Sequence, residues 1–343
     1  MRPVCYVDVF HGDADGLCAV HQLRLARPVP PGAPHQIVTG LKDDVELLAR
    51  VRGAPGCIVT VLDVSLDRNR AALLRVLDEG AEVQYIDHHF AGAVPRHPRL
   101  QARIDTAADV CASILVDALV GGAHRAWAVV GAFGDNLESA AATLAAPLAL
   151  GAAQIATLRR LGEDLNYNAY GDSLDDVLLA PDALYRAMQA HADPLAFAAT
   201  GLVERLTARR RSDLAAACTL APLRVDADRA VYRLPAQPWS GRVIGTFANA
   251  LARTHPRRAH AVLAPRADGS VRVSVRSPLI ALGGADELCR QFPLGGGRPA
   301  AAGIPSLAAA DVASFLAAFH RMSWTDARAR SRHDACATEE GSG

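Results

Sequence analysis

The chain has 343 residues, enough for two domains of ordinary size, and half are hydrophobic, so a large core can be buried. Its 36 basic and 36 acidic residues cancel, which argues against a broad basic surface for long duplex nucleic acid. The longest apolar stretch, residues 126–158, is broken by Asp135 and Glu138, which argues against a membrane span.

Taken in chain order, residues 4–10, 57–62, 83–86 and 126–133 are short, apolar and partly β-branched, and read as buried strands. Helical patterns fall between them, over residues 17–27, 43–52, 67–79 and 107–119. This alternation predicts an α/β fold with a parallel sheet and crossover helices, whose ligands bind beyond the carboxyl ends of the strands. From residue 139 the chain is helical and alanine-rich. Residues 165–177 read as a loop and then a capped helix. Residues 202–217 read as an exposed connecting helix, with Arg205, Arg209, Arg210 and Arg211 as a solvated face.

Composition shifts near Pro222. A strand over residues 230–234, a helix over 244–254 and a hairpin turning at Asp268 and Gly269 predict a smaller α+β domain. The expected divisions are a catalytic domain at 1–190, a helical linker at 191–221, a substrate-binding domain at 222–323 and a disordered tail at 324–343. Seven widely spaced cysteines without a Cys-x-x-Cys pair predict reduced, mostly buried thiols. With no charged leader before the first strand, they point to the cytoplasm.

Four segments end apolar runs in acid or imidazole groups: FHGDADG from Phe10, VLDVS from Val61, YIDHHF from Tyr85 and GAFGDN from Gly131. His11, Asp13 and Asp15 have the i, i+2, i+4 spacing that shares one face of an extended chain. Asp63, then Asp87, His88 and His89, then Asp135 are expected at the same sheet edge. A single Asp at a strand end is most often a cap or turn residue. Four such segments with an Asp-His-His triplet are poorly explained as caps. Carboxylates and imidazoles without thiolate suit Mn²⁺, Mg²⁺ or Fe²⁺, and this many suit two ions.

The set D-x-D-G, strand-end Asp, D-H-H and G-x-x-G-D resembles the DHH phosphoesterase superfamily, and Ser-Val-Arg-Ser (274–277) followed by GGGRPAAAG resembles its associated C-terminal domain. The nearest architecture is that of RecJ-like and nanoRNase/pAp-phosphatase members. The resemblance implies a binuclear manganese site held by His11, Asp13, Asp15, Asp63, His88 and Asp135, with Asp63 bridging. It implies that Asp87 orients an imidazole and that His89 approaches substrate phosphate. Asp13, Asp15, Asp63, Asp87, His88, His89 and Asp135 form the implied catalytic set. The implied substrate contacts are His89, Arg276, Gly295, Gly296, Gly297 and Arg298. The family's glycine loop normally ends in His, whereas this one ends in Arg298, a permanent cation that binds phosphate but transfers no proton.

The expected activity is two-metal phosphoester hydrolysis of short oligonucleotides, dinucleotides or phosphorylated nucleotides in an interdomain cleft. The alternatives are a RecJ-like single-strand exonuclease, a pyrophosphate or polyphosphate hydrolase, and a catalytically silent binding protein. Neither a long duplex nor a membrane is an expected partner, and a homodimer is left open. Asn166, Tyr167, Asn168 and Tyr170 could stack on a base or simply cap a helix.

Overall fold

The structure is a computed structural model that describes residues 5–324. The chain divides into two compact units between Arg210 and Arg211. The first holds β1 (Cys5–His11), α1 (Ala14–Ala26), β2 (His35–Gly40), β3 (Cys57–Leu62), α2 (Leu66–Asp78), β4 (Glu82–Asp87) and β5 (Leu100–Ile104). The helices α3 (Ala112–Leu119), α4 (Arg125–Gly134), α5 (Glu138–Ala145), α6 (Ala152–Asn168), α7 (Pro181–Met188) and α8 (Pro194–Ala198) follow, and α9 (Gly201–Cys218) crosses the division.

The sheet of the first unit runs β2-β1-β3-β4-β5, all parallel. Alternate strand residues enter opposite cores. Phe10, Leu62 and Ile86 pack with α1, α3 and α4, whereas Val9, Val61 and Tyr85 pack against α2. Each fully buried side chain of this size contributes about 1.5–3 kcal/mol. In this order the chain leaves β1 toward one edge and returns through β3 toward the other. The crevice beyond the carboxyl ends of β1 and β3 is therefore the switch point where such sheets bind ligands.

Several expectations are corrected. Residues 126–133 are not a strand but lie within α4, which is buried from Trp127 onward and packed against α1, α3, α5 and α6. An all-round apolar run carries no periodicity to separate strand from helix. Residues 43–52 form only a short 3₁₀ turn, and α6 runs through Asn168 into the expected loop. The structure joins Cys5 to Cys57, opposite one another in the β1–β3 register, so these two are not reduced thiols; Cys18, Cys111 and Cys289 are buried as expected, and Cys218 is exposed.

The second unit contains β6 (Arg224–Val225), β7 (Arg229–Arg233), α10 (Pro238–Thr254), β8 (Ala259–Pro265) and β9 (Val271–Arg276). It continues through α11 (Ala285–Cys289), β10 (Gly296–Arg298), β11 (Ala301–Leu307) and α12 (Val312–Arg321). Its sheet runs β10-β11-β9-β8-β7-β6 and is antiparallel except between β7 and β8. The hairpin turns at Gly269, at φ +84°. Trp324 is buried against Phe319, so the tail cannot begin there; residues 325–343, with Cys336, lie outside the described residues. Among the described residues, no helix is long and apolar enough to cross a membrane.

Candidate metal centre

His11 is the last residue of β1, but Asp13 and Asp15 do not continue an extended run. Asp13 caps α1, accepting from the Gly16 N–H at 3.1 Å, and Asp15 lies in the first helical turn. The strand-to-helix turn still gathers the three groups. Asp63 follows β3 with φ +56°, a left-handed conformation that an Asp tolerates better than most residues but that still costs energy. Asp87 ends β4, and His88 and His89 follow it. Asp135 arrives from the carboxyl end of α4. Gly134 lets that helix settle against α1, because a Cβ there would lie 2.3 Å from the Ala14 Cβ.

The side chains converge on Asp63. His11 Nδ1 is 3.3 Å from Asp13 Oδ2 and 3.9 Å from Asp63 Oδ2. On the other side, His88 Nε2 lies 3.3 Å from Asp63 Oδ1, 3.7 Å from Asp135 Oδ2 and 3.9 Å from Asp15 Oδ2. The two oxygens of Asp63 therefore face two separate donor groups. Asp15 is fixed from behind by the Ala112 and Ser113 N–H groups at 2.7 and 2.8 Å, the amino end of α3. Asp87, fully buried, bonds His89 Nδ1 at 2.7 Å, so the imidazole it orients is His89. Cys111 was not expected here; its sulfur lies within reach of Asp15 and Asp135.

Such crowding perturbs the carboxyls. Burial, then the charges of Asp13 and Asp15, push Asp63 well above the usual range, and burial followed by Asp135 raises Asp15. Burial opposes ionisation of Asp13 too, but Lys42 and His11 outweigh it and hold that carboxyl well below the usual range. His11 Nε2 and Asp63 Oδ2 are buried and make no hydrogen bond. Buried polar atoms are normally satisfied, and carboxylates this close need cationic compensation. The donor set therefore fits a divalent cation: His11, Asp13 and Asp63 gather within 4.8 Å of one another, as do Asp63, His88 and His89, while Asp15 and Asp135 lie within 3.9 Å of His88 Nε2.

In the second unit, Gly296, Gly297 and Arg298 form β10 of a hairpin with β11 and not an open loop, and Gly295 precedes it. Gly297 has φ +140°, and a Cβ there would fall 2.5 Å from the Ala302 Cα. Arg298 pairs with Ala301, which pairs with Arg276, so two guanidinium-bearing residues flank an alanine in one row of the sheet. Arg276 is held by Asn249 Oδ1 at 2.6 Å and Ser274 Oγ at 3.0 Å. Its strand is central, with Arg272 and Ser274 buried, and not a surface edge.

Members of two other clusters have structural roles. Tyr167 is buried, and Asn168 bonds the backbone of Leu178 and Leu179, which favours the capping role. Arg210 is buried and pairs with Asp164 at 2.6 Å, so it is not part of a solvated face.

No family model matches the chain, and no curated protein matches its sequence. Solved structures do match its fold. An exonuclease RecJ bound to manganese is 18% identical with TM-score 0.58, over 93% of this chain and 91% of that one. The DHH domain of a member of a ribosomal-protein family is 15% identical with TM-score 0.61, over 93% and 86%. A pGpG-specific phosphodiesterase from Vibrio cholerae is 15% identical with TM-score 0.51, over 92% and 97%.

Proposed function

We propose that this chain, which has the DHH fold, is a divalent-metal-dependent phosphoesterase acting on short nucleotide substrates. The observation that carries the reading is that the two oxygens of Asp63 face separate donor groups, His11 and Asp13 on one side and His88 and His89 on the other, with buried His11 Nε2 and Asp63 Oδ2 making no hydrogen bond. One ion would be held by His11, Asp13 and Asp63, and the other by Asp15, Asp63, His88 and Asp135. Mn²⁺ suits these donors best, with Mg²⁺ or Fe²⁺ as alternatives. When bound, the ions would supply an activated water and stabilise charge on the phosphoryl oxygens.

The chain's own groups do the rest. The amino end of α3 fixes Asp15, and Asp87 fixes His89, whose side chain is 43% exposed and so can meet a phosphate. Phe90, 76% exposed beside it, offers an aromatic face to a base. Arg276, Arg298 and the Gly295–Gly297 run would hold a phosphate or sugar. A net charge of zero favours short substrates over long strands. The likeness to a RecJ exonuclease supports a second reading, single-strand exonuclease activity on a chain end.

The test is turnover with Mn²⁺ across pAp, linear and cyclic dinucleotides, short RNAs and long single strands. Preferential hydrolysis of the short substrates is expected. Faster processive degradation of long strands would favour the exonuclease, and hydrolysis of none, or no bound metal, would overturn both.

A further inference from the structure

Lys42 is the only lysine among 36 basic residues, and it ends on the metal centre. Elsewhere the chain compensates buried aspartates with arginine: Asp8 with Arg24 at 2.8 Å, Asp117 with Arg125 at 3.0 Å and Asp164 with Arg210 at 2.6 Å. Only at Asp13, among these buried carboxylates, is the partner an ammonium. The residue is fixed from both sides. Its N–H donates to the Ala169 carbonyl at 2.9 Å, and the Leu41 N–H donates to Asp44 Oδ2 at 3.0 Å. Its side chain is 29% exposed, so it touches Asp13 while staying open to solvent.

Charge balance gives this position a task. Asp13, Asp15, Asp63 and Asp135 bring four negative charges, which two divalent ions cancel. A phosphoester then adds at least one negative charge with nothing left in the ion–carboxylate set to oppose it. An ammonium is a compact charge with three donors, so contact with Asp13 does not exhaust it; a guanidinium is a broad planar fork.

Building on the phosphoesterase reading above, we propose that Lys42 is a catalytic residue whose ammonium contacts a non-bridging oxygen of the scissile phosphate. It donates hydrogen bonds and transfers no proton, and it serves the negative charge that grows on the phosphoryl oxygens during attack.

The test compares full-length wild type with Lys42→Met and Lys42→Arg. It reads kcat/KM on the best phosphoester, calorimetric titration with Mn²⁺ alone, and titration of the Mn²⁺-loaded proteins with inorganic phosphate. Lys42→Met is expected to lower kcat/KM about 100-fold, the usual cost of one donor aimed at developing charge. It should weaken inorganic phosphate about tenfold while Mn²⁺ affinity stays equal or rises. Lys42→Arg should recover part of the phosphate affinity. Loss of Mn²⁺ affinity in step with activity would reduce Lys42 to a support for Asp13 and overturn the proposal. Wild-type-like turnover by Lys42→Met would overturn it alone, whereas a wild type that hydrolyses no phosphoester would overturn the parent reading with it.

Discussion

In the first unit, Asp13, Asp15 and Asp63 are buried side by side; in the second, Arg276 and Arg298 flank Ala301 on one row of a sheet. The carboxylates crowd one another, and burial pushes Asp63 and Asp15 toward the neutral form. The arginines are only half-buried, and Arg276 donates to Asn249 Oδ1, Ser274 Oγ and the Val275 carbonyl. A buried cluster of one sign is costly unless counter-charge arrives, whereas a half-exposed cation keeps its hydration. The first unit thus needs cationic compensation where its carboxylates crowd, whereas the second keeps its two guanidinium groups partly in solvent.

Removing a donor from the first unit should have the largest effect. Asp63→Ala and Asp135→Ala are each expected to lower Mn²⁺-dependent turnover by about 10³-fold or more, since several kcal/mol of charge stabilisation is lost. Steady-state kinetics beside a thermal melt checks this; retained turnover by a folded variant breaks the contrast. A backbone change in the second unit comes next. Gly297→Val puts a Cβ against Ala302 at a φ few side chains adopt, and should cost about 2–3 kcal/mol in denaturant unfolding. Unchanged unfolding would show that the β10–β11 hairpin yields.

Arg276→Met sharpens the anion side. It should raise KM about tenfold with kcat nearly constant, the signature of binding lost equally from ground and transition states. A fall in kcat instead would move Arg276 into the chemistry. The smallest effect is one the units share. Burial lowers His21 in the first and His260 in the second to about 4. The folded state therefore favours neutral imidazole. Its full stability holds above the unfolded value near 6.5 and is lost as pH falls from there toward 4. Between pH 7 and 6 each histidine should cost about 0.7 kcal/mol. Denaturation curves at the two pH values read it, and His260→Phe should flatten the slope.

How much of this was legible follows from where the information lies. β1, β3 and β4 were visible as apolar, β-branched runs ending in Asp or His. β2 (HQIVTG) and β5 (LQARI) are sheet edges with half-exposed residues, and no apolar run marks them. α4 was misread because a helix buried all round has no period, yet Asp135 was still placed with the other acids, since either element would end there. Lys42 meets Asp13 from 29 residues away through the return of β2, and the Cys5–Cys57 bond depends on strand register. Neither leaves a local trace.

The left-handed backbone at Asp63 has a consequence beyond catalysis. Glycine there would relax φ and remove a crowded carboxylate at once, so Asp63→Gly should make a sturdier, inert molecule. A thermal melt beside a Mn²⁺ titration of Asp63→Gly would read the gain in stability and the loss of the ligand in one protein.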